Sequence, residues 1–223
     1  MSYGRTFPLW RAAAGEHWTA YVEHTFVRRL GDGTLPRAAF LHYLVQDYVF
    51  LIHFARAWAL AVTKAETLEE LRHCAGTVNA LVNEELSLHV GICAEAGIPE
   101  AALFAAEERP ENLAYTRYVL DAGHSGDLLD LLAALAPCVL GYGEIGARLG
   151  REPHAETYGG WIGTYAGAEY QALCCEVGAL IDGAAARRIG EAPEAAPRWE
   201  AVTGRFVRAT RLEIGFWDMG LAP

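Results

Sequence analysis

Five cysteines in 223 residues, at positions 74, 93, 138, 174 and 175, do not make a disulfide framework. Their number is odd, and no pair has the CxxC spacing of a zinc or redox site. The opening stretch, Met-Ser-Tyr-Gly-Arg-Thr-Phe-Pro, has no apolar signal core. No run reaches the roughly 18 uninterrupted apolar residues that mark a bilayer-crossing helix, so no membrane partner is expected. Positive charge is scarce as well: 18 basic against 28 acidic residues leave a formal net charge of -10, with no basic block. Such a chain is poorly suited to gripping phosphate backbones, which argues against nucleic acid as a partner. Alternating strand patterns with hairpin turns, low-complexity tracts and fixed-period repeats are all missing. Together these absences point to a cytoplasmic protein with reduced thiols.

What the chain has in quantity is apolar and aromatic side chains, 52% and 11% of residues, enough for a large core. They recur at three- and four-residue spacing. A helix is predicted over about 9–29, with Trp18, Val22 and Phe26 on one face. A turn over 31–36 follows, with Thr34 as N-cap and a proline in the first turn after it. The second helix, about 36–63, carries Phe40, Tyr43, Phe50, Phe54 and Trp58, with Asp47 on the same stripe. The third, about 67–96, carries Leu71, Val78, Leu81, Leu88 and Ile92, with Glu85 among them. Gly97-Ile-Pro99 ends it and starts a short helix. A run over 111–122 ends at Gly123-His-Ser-Gly126, and Ser125 or Asp127 can cap the long segment that follows. After a break at Arg151-Glu-Pro-His154, a helix over about 155–180 carries Tyr158, Ile162, Tyr165, Glu169 and Leu173. Asp182-Gly and the region 193–197 read as polar turns. The last helix covers about 198–218. Seven or eight helices with short connections imply an all-α bundle forming a single domain over residues 1–223.

The chain is organised around Leu135–Leu149. Leu131, Leu135, Cys138, Tyr142, Ile145 and Leu149 share a face, while Pro137 lacks an N–H and crowds the carbonyl of Ala133. A kink or restart is expected there, beside an inward thiol and phenol. Other inward stripes also carry groups that an apolar core would not choose: Asp47, Glu85, Tyr165, Glu169 and Glu213. A buried, unpaired carboxylate costs several kcal/mol, so this many acids and phenols suggest a polar pocket among the helices. Two chemistries compete on these residues alone. A metal centre would use Glu85 and His89, four apart, but no second carboxylate–histidine pair supports it. A Cys–His hydrolase would need a histidine beside Cys138, and none lies on the inward stripes; most of the eight histidines read as surface or helix-end residues.

In order and spacing, a set of short pieces resembles the TenA family, also called thiaminase II or aminopyrimidine aminohydrolase. The pieces are Gly31-Asp-Gly-Thr-Leu-Pro36, Gln46-Asp47, His53-Phe-Ala55, Glu85 with Leu88-His89, Tyr115-Thr116, Leu135-Ala-Pro-Cys138, Tyr142-Gly-Glu-Ile-Gly146, Trp161-Ile-Gly-Thr-Tyr165 and Phe216-Trp217. The resemblance spans about Trp18 to Met219. It implies the helical fold shared with haem oxygenases, a homotetramer, and no cofactor or metal. It implies hydrolysis of 4-amino-5-aminomethyl-2-methylpyrimidine to the hydroxymethyl compound and ammonia in thiamin salvage, with cleavage of thiamin as a related activity.

The resemblance also implies site residues. Cys138 is similar to the nucleophile that adds to the pyrimidine ring. Asp47 resembles the carboxylate that holds and protonates a ring nitrogen, and Glu213 the acid and base that serve the leaving amine and the incoming water. Tyr142 resembles the phenol that orients the thiol, Tyr115 another pocket phenol, and Tyr165 and Phe216 the aromatic walls. Glu85 and Glu169 read as structural, and Cys74, Cys93, Cys174 and Cys175 as packing residues. One departure stands out. Phe50 occupies a position that is often tyrosine in the family, so the pocket loses a hydroxyl. That loss motivates a rival reading, a non-enzymatic binding protein for a thiamin-related pyrimidine.

Overall fold

The computed structural model describes residues 3–223, the Leu88 side chain excepted. Met1 and Ser2 of the opening stretch, and the place of Leu88 on its stripe, lie outside the described residues. Among these residues the regular structure is entirely helical.

Three short helices, α1 (Thr6–Ala14), α2 (Glu16–Val22) and α3 (Thr25–Gly31), replace the single one predicted over 9–29. Gly15, at φ +53°, makes the first break. His24 makes the second, its Nδ1 accepting from the Phe26 N–H at 3.2 Å. The predicted face survives the breaks, because Trp18, Val22 and Phe26 are all buried. α4 (Arg37–Lys64) runs as predicted, but Thr34 is not its cap. The Thr34 hydroxyl and N–H both bond Asp32 Oδ1, at 2.6 and 2.9 Å, in a side-chain-closed turn.

α5 (Leu68–Ala80) and α6 (Leu86–Glu95) are joined by a π-turn over Leu81–Glu85. Leu71 is 40% exposed and leaves the predicted inward stripe, while Leu81 is buried. After α7 (Glu100–Phe104), α8 (Pro110–Ser125) continues through Gly123 instead of stopping there. That glycine serves close packing: a Cβ would strike Leu60, with Leu131 also crowding it. Asp127, not Ser125, caps α9 (Leu128–Ala136). It accepts from the N–H groups of Leu129 and Asp130, and the Asp130 carboxylate accepts from the Asp127 N–H in return.

Pro137 neither restarts nor ends the helix. The backbone absorbs the missing donor by widening into a π-turn over Pro137–Gly141 and then continues as α10 (Tyr142–Leu149). By length and composition alone, Arg37–Lys64 and Leu128–Leu149 could cross a bilayer. Here the first packs on the bundle with about half of its residues buried, and the second is enclosed on nearly every side.

Gly167 divides the helix predicted over 155–180 into α11 (Gly159–Ala166) and α12 (Ala168–Ile189). α12 passes straight through Asp182-Gly. Asp182 is no turn residue; it accepts from the N–H groups of Arg5 and Thr6 at 2.7 and 2.8 Å and so ties α12 to the start of α1. Glu169 is exposed and drops out of the inward set. α13 (Trp199–Leu221) completes the chain and packs on α9, α8, α2 and α4. Grouped by predicted segment, the thirteen pieces make eight units. Their shared interior is aromatic, with Trp10, Trp58, Trp217, Tyr21, Tyr43 and Phe206 essentially inaccessible.

Candidate active site

Both π-turns open onto one cleft of about 480 Å³, its mouth included. A π-turn inserts one extra residue per turn and so redirects side chains that a regular helix would point elsewhere. One turn presents Glu85 and Leu81, the other Cys138 and Val139. α4 supplies Asp47, Leu51, Phe54 and Trp58, α10 supplies Tyr142, α11 Tyr165, and α12 Tyr170, Leu173 and Val177. Gly146 sets how near α11 can come, because a Cβ there would run into the Tyr165 backbone.

The predicted site residues fall into two layers. Cys138, Asp47, Tyr142 and Tyr165 line the cleft. Glu213, Tyr115, Phe50 and Phe216 are buried and are not among its lining residues. The Phe50 ring lies 5.1 Å from Tyr115 and 5.4 Å from Phe216, and Phe216 meets Tyr43 edge-on at 6.2 Å. The expected pair of aromatic walls is therefore one wall at the cleft, Tyr165, with Phe216 set in the layer behind. Tyr142 and Tyr165 are 5.1 Å apart, centroid to centroid, and burial raises the pKa of both phenols.

The electrostatics centre on the thiol. Cys138 is half-buried, and its pKa is pushed well above that of a free cysteine. Burial is the main cause, followed by the negative fields of Glu213, Asp47 and Glu85. The sulfur therefore rests as a thiol. Glu213, 1% exposed, accepts from the Tyr115 hydroxyl at 2.9 Å. Burial lifts its pKa to about 8, with the Tyr115 bond pulling it down and the Asp47 charge adding to the rise. Burial likewise lifts Glu85 to about 7, opposed by His89 and helped by Asp47. Glu85, read from the sequence as structural, is thus a cleft residue.

The sequence reading named His89 as half of a metal pair and as part of a family piece, not as a partner of Asp47. His89 is 5% exposed, and its Nε2 lies 2.7 Å from Asp47 Oδ2. Its spacing from Glu85 had suggested a metal ligand, but both ring nitrogens are engaged, Nδ1 against the Glu85 carbonyl at 3.0 Å. Among the described residues, no three His, Cys, Asp or Glu side chains are grouped to hold a metal ion. Tyr43 was likewise not read as a partner of Asp47. It donates to Asp47 Oδ2 at 3.3 Å and accepts from Trp161 Nε1 at 3.4 Å. Its position four residues before Asp47 on α4 was the available signal.

Residues 11–222 match the TENA/THI-4/PQQC family. The chain belongs to that family. Among its relatives, an uncharacterised protein of Haemophilus influenzae is 40% identical over 93% of this chain and 95% of its own length. The aminopyrimidine aminohydrolase of Halalkalibacterium halodurans is 36% identical over 91% of this chain and 89% of its own length. A crystal structure described as a TenA family transcription regulator, from Silicibacter sp. TM1040, superposes with a TM-score of 0.98 at 62% identity, covering 99% of this chain and 98% of the other. TenA membership agrees with the all-helical fold.

Proposed function

We propose that this protein is an aminopyrimidine aminohydrolase of thiamin salvage, turning 4-amino-5-aminomethyl-2-methylpyrimidine into the 5-hydroxymethyl compound and ammonia. The observation that carries this reading is the meeting of Cys138 and Asp47 on one cleft, with Glu213 buried and bonded to the Tyr115 hydroxyl. The name of the Halalkalibacterium relative supports it. The description of the Silicibacter neighbour as a transcription regulator finds no echo in a chain of net charge -10.

The chemistry follows from where the protons sit. Burial first, and then the acids around it, keeps the proton on the sulfur, so the thiol gives it up only as it attacks. Sγ bonds to a ring carbon as the thiol proton passes to the ring nitrogen held by Asp47. With aromaticity lost, the bond to the exocyclic nitrogen breaks while Glu213 gives that nitrogen its proton. Glu213, now a carboxylate, takes a proton from the water that adds to the methylene carbon. The Sγ–C bond breaks, the ring nitrogen returns its proton to the sulfur and the ring recovers its aromaticity. Ammonia release from the aminomethyl pyrimidine tests the reading. Calorimetry showing tight binding with no ammonia over hours supports the binding-protein alternative instead.

Phe50 bears on the leaving group. Its ring sits between Tyr115, the partner of Glu213, and Phe216. Phe50→Tyr is expected to change the ratio of kcat/KM for the aminomethyl pyrimidine to that for thiamin by about tenfold, since a hydroxyl added beside Tyr115 competes for the Glu213 carboxyl that serves the leaving group. An unchanged ratio removes Phe50 from the specificity argument.

We also propose a homotetramer. Leu68, Leu71, Val82, Phe104 and Leu113 are large apolar side chains left exposed on one chain, and an assembly would cover them. Light scattering should give four times the 24.3 kDa chain mass, and a monomeric mass rejects the proposal.

A further inference from the structure

His89 is the buried ionisable group that this scheme leaves unused. Its Nδ1 lies 3.0 Å from the backbone carbonyl oxygen of Glu85. A carbonyl oxygen can only accept, so Nδ1 carries a hydrogen. Its Nε2 lies 2.7 Å from Asp47 Oδ2, the distance of a charge-assisted N–H···O bond. That same oxygen accepts from the Tyr43 hydroxyl at 3.3 Å. An oxygen placed between two donors fits a carboxylate that accepts from both. The imidazole is then a donor at each nitrogen.

We propose that His89 is a positioning residue for the pyrimidine reaction: braced on the Glu85 carbonyl, its imidazolium ties down Oδ2 of Asp47, a cleft residue, and leaves Oδ1 as the acceptor for an N–H of the bound ring. The identity of that ring rests on the hydrolase reading; the brace is a property of the protein alone. The charged groups facing the imidazole are Asp47 on α4 and Glu85 on the π-turn before its own helix. Tyr43 adds a phenol from α4, and Cys93 of α6 lies near Asp47. α7, which also packs on α6, carries only Glu100, and that side chain is exposed. Burial works against charge on the imidazole, but the bond and charge of Asp47, with Glu85, outweigh it and hold His89 at about 9. The arrangement also explains why a carboxylate 5% exposed is tolerated on α4: it is paired.

Two measurements test the brace. Side-chain ¹⁵N NMR of the full chain should show His89 with both nitrogens protonated at pH 7, and Asp47→Asn should return it to the neutral form. Calorimetry with 4-amino-5-hydroxymethyl-2-methylpyrimidine should show Kd weakened by about tenfold or more in His89→Leu. His89→Gln, which keeps a donor but no charge, should fall between that variant and the wild type. In turnover, KM should rise in the same order while kcat changes little, a split that a merely structural histidine would not produce. A neutral His89 at pH 7, or wild-type Kd in His89→Leu, overturns the proposal. If the leucine variant does not fold, the glutamine variant and the NMR titration still decide. If the wild type does not bind the pyrimidine, the hydrolase reading fails, and the NMR result alone judges the brace.

Discussion

Cys138→Ser is expected to abolish turnover of the aminomethyl pyrimidine, by on the order of 10⁴-fold or more, while leaving the fold intact. A serine hydroxyl is far less nucleophilic, and no histidine among the described residues lines the cleft to activate it. Burial, and then the acids around the cleft, already oppose ionisation of the better nucleophile. The substitution is gentle on structure. Cys138 is half-buried on a π-turn with room at the cleft, and serine is close to it in size. Unchanged far-UV circular dichroism with no ammonia release is the expected outcome. Ammonia release at the wild-type rate sinks the thiol mechanism. The same electrostatics predict slow alkylation of Cys138 at neutral pH, because so little thiolate is present.

Glu213→Gln should show the opposite sign in two measurements. Activity should fall by about 10² to 10⁴-fold, the usual worth of a general acid and base, because Gln can neither give nor take the proton. Stability should rise. Glu213 holds its proton up to about pH 8 in the folded chain but loses it near the ordinary 4.5 when unfolded. Between those values the folded state binds more protons than the unfolded one, so this group's contribution to stability falls as pH increases. Gln removes that penalty and keeps an acceptor for the Tyr115 hydroxyl. The unfolding midpoint of Glu213→Gln should therefore exceed the wild-type value at pH 8, and the gap should close towards pH 5. A gap that is absent, or that widens towards pH 5, would mean Glu213 is ionised in the folded chain. In wild-type kinetics, the rate should decline as pH rises through about 8, when the acid form is lost.

Both predictions draw on a division visible across the molecule. Wherever a property belongs to a single stretch of chain, it could be read there. The apolar spacing of 36–63 and 198–218 located α4 and α13 to within a few residues, because a helix face depends only on positions three and four apart. Pro137 marked the place where the central helix departs from regularity, since a proline lacks its donor in any context. Cys138, Asp47 and Glu213 could be singled out as costly groups on inward stripes.

Properties that need two distant stretches could not be read locally. The π-turn at Leu81–Glu85 contains no proline or other local mark, yet it helps bring Glu85 to the cleft. His89 looked like half of a metal pair because its partner, Asp47, is 42 residues away. Asp182 looked like a turn residue until the start of α1 came to rest on it. Glu169 and Leu71 lay on favourable spacing but face outward. The layering of the site, with Cys138 and Asp47 at the cleft and Glu213 behind, was likewise a tertiary decision. Sequence alone determined which side chains must be inside and which of them would be expensive there. Only the packed bundle decided which expensive groups share a cavity and which hydrogen bonds make them tolerable, because burial and pairing energies depend on distances that chain order does not set.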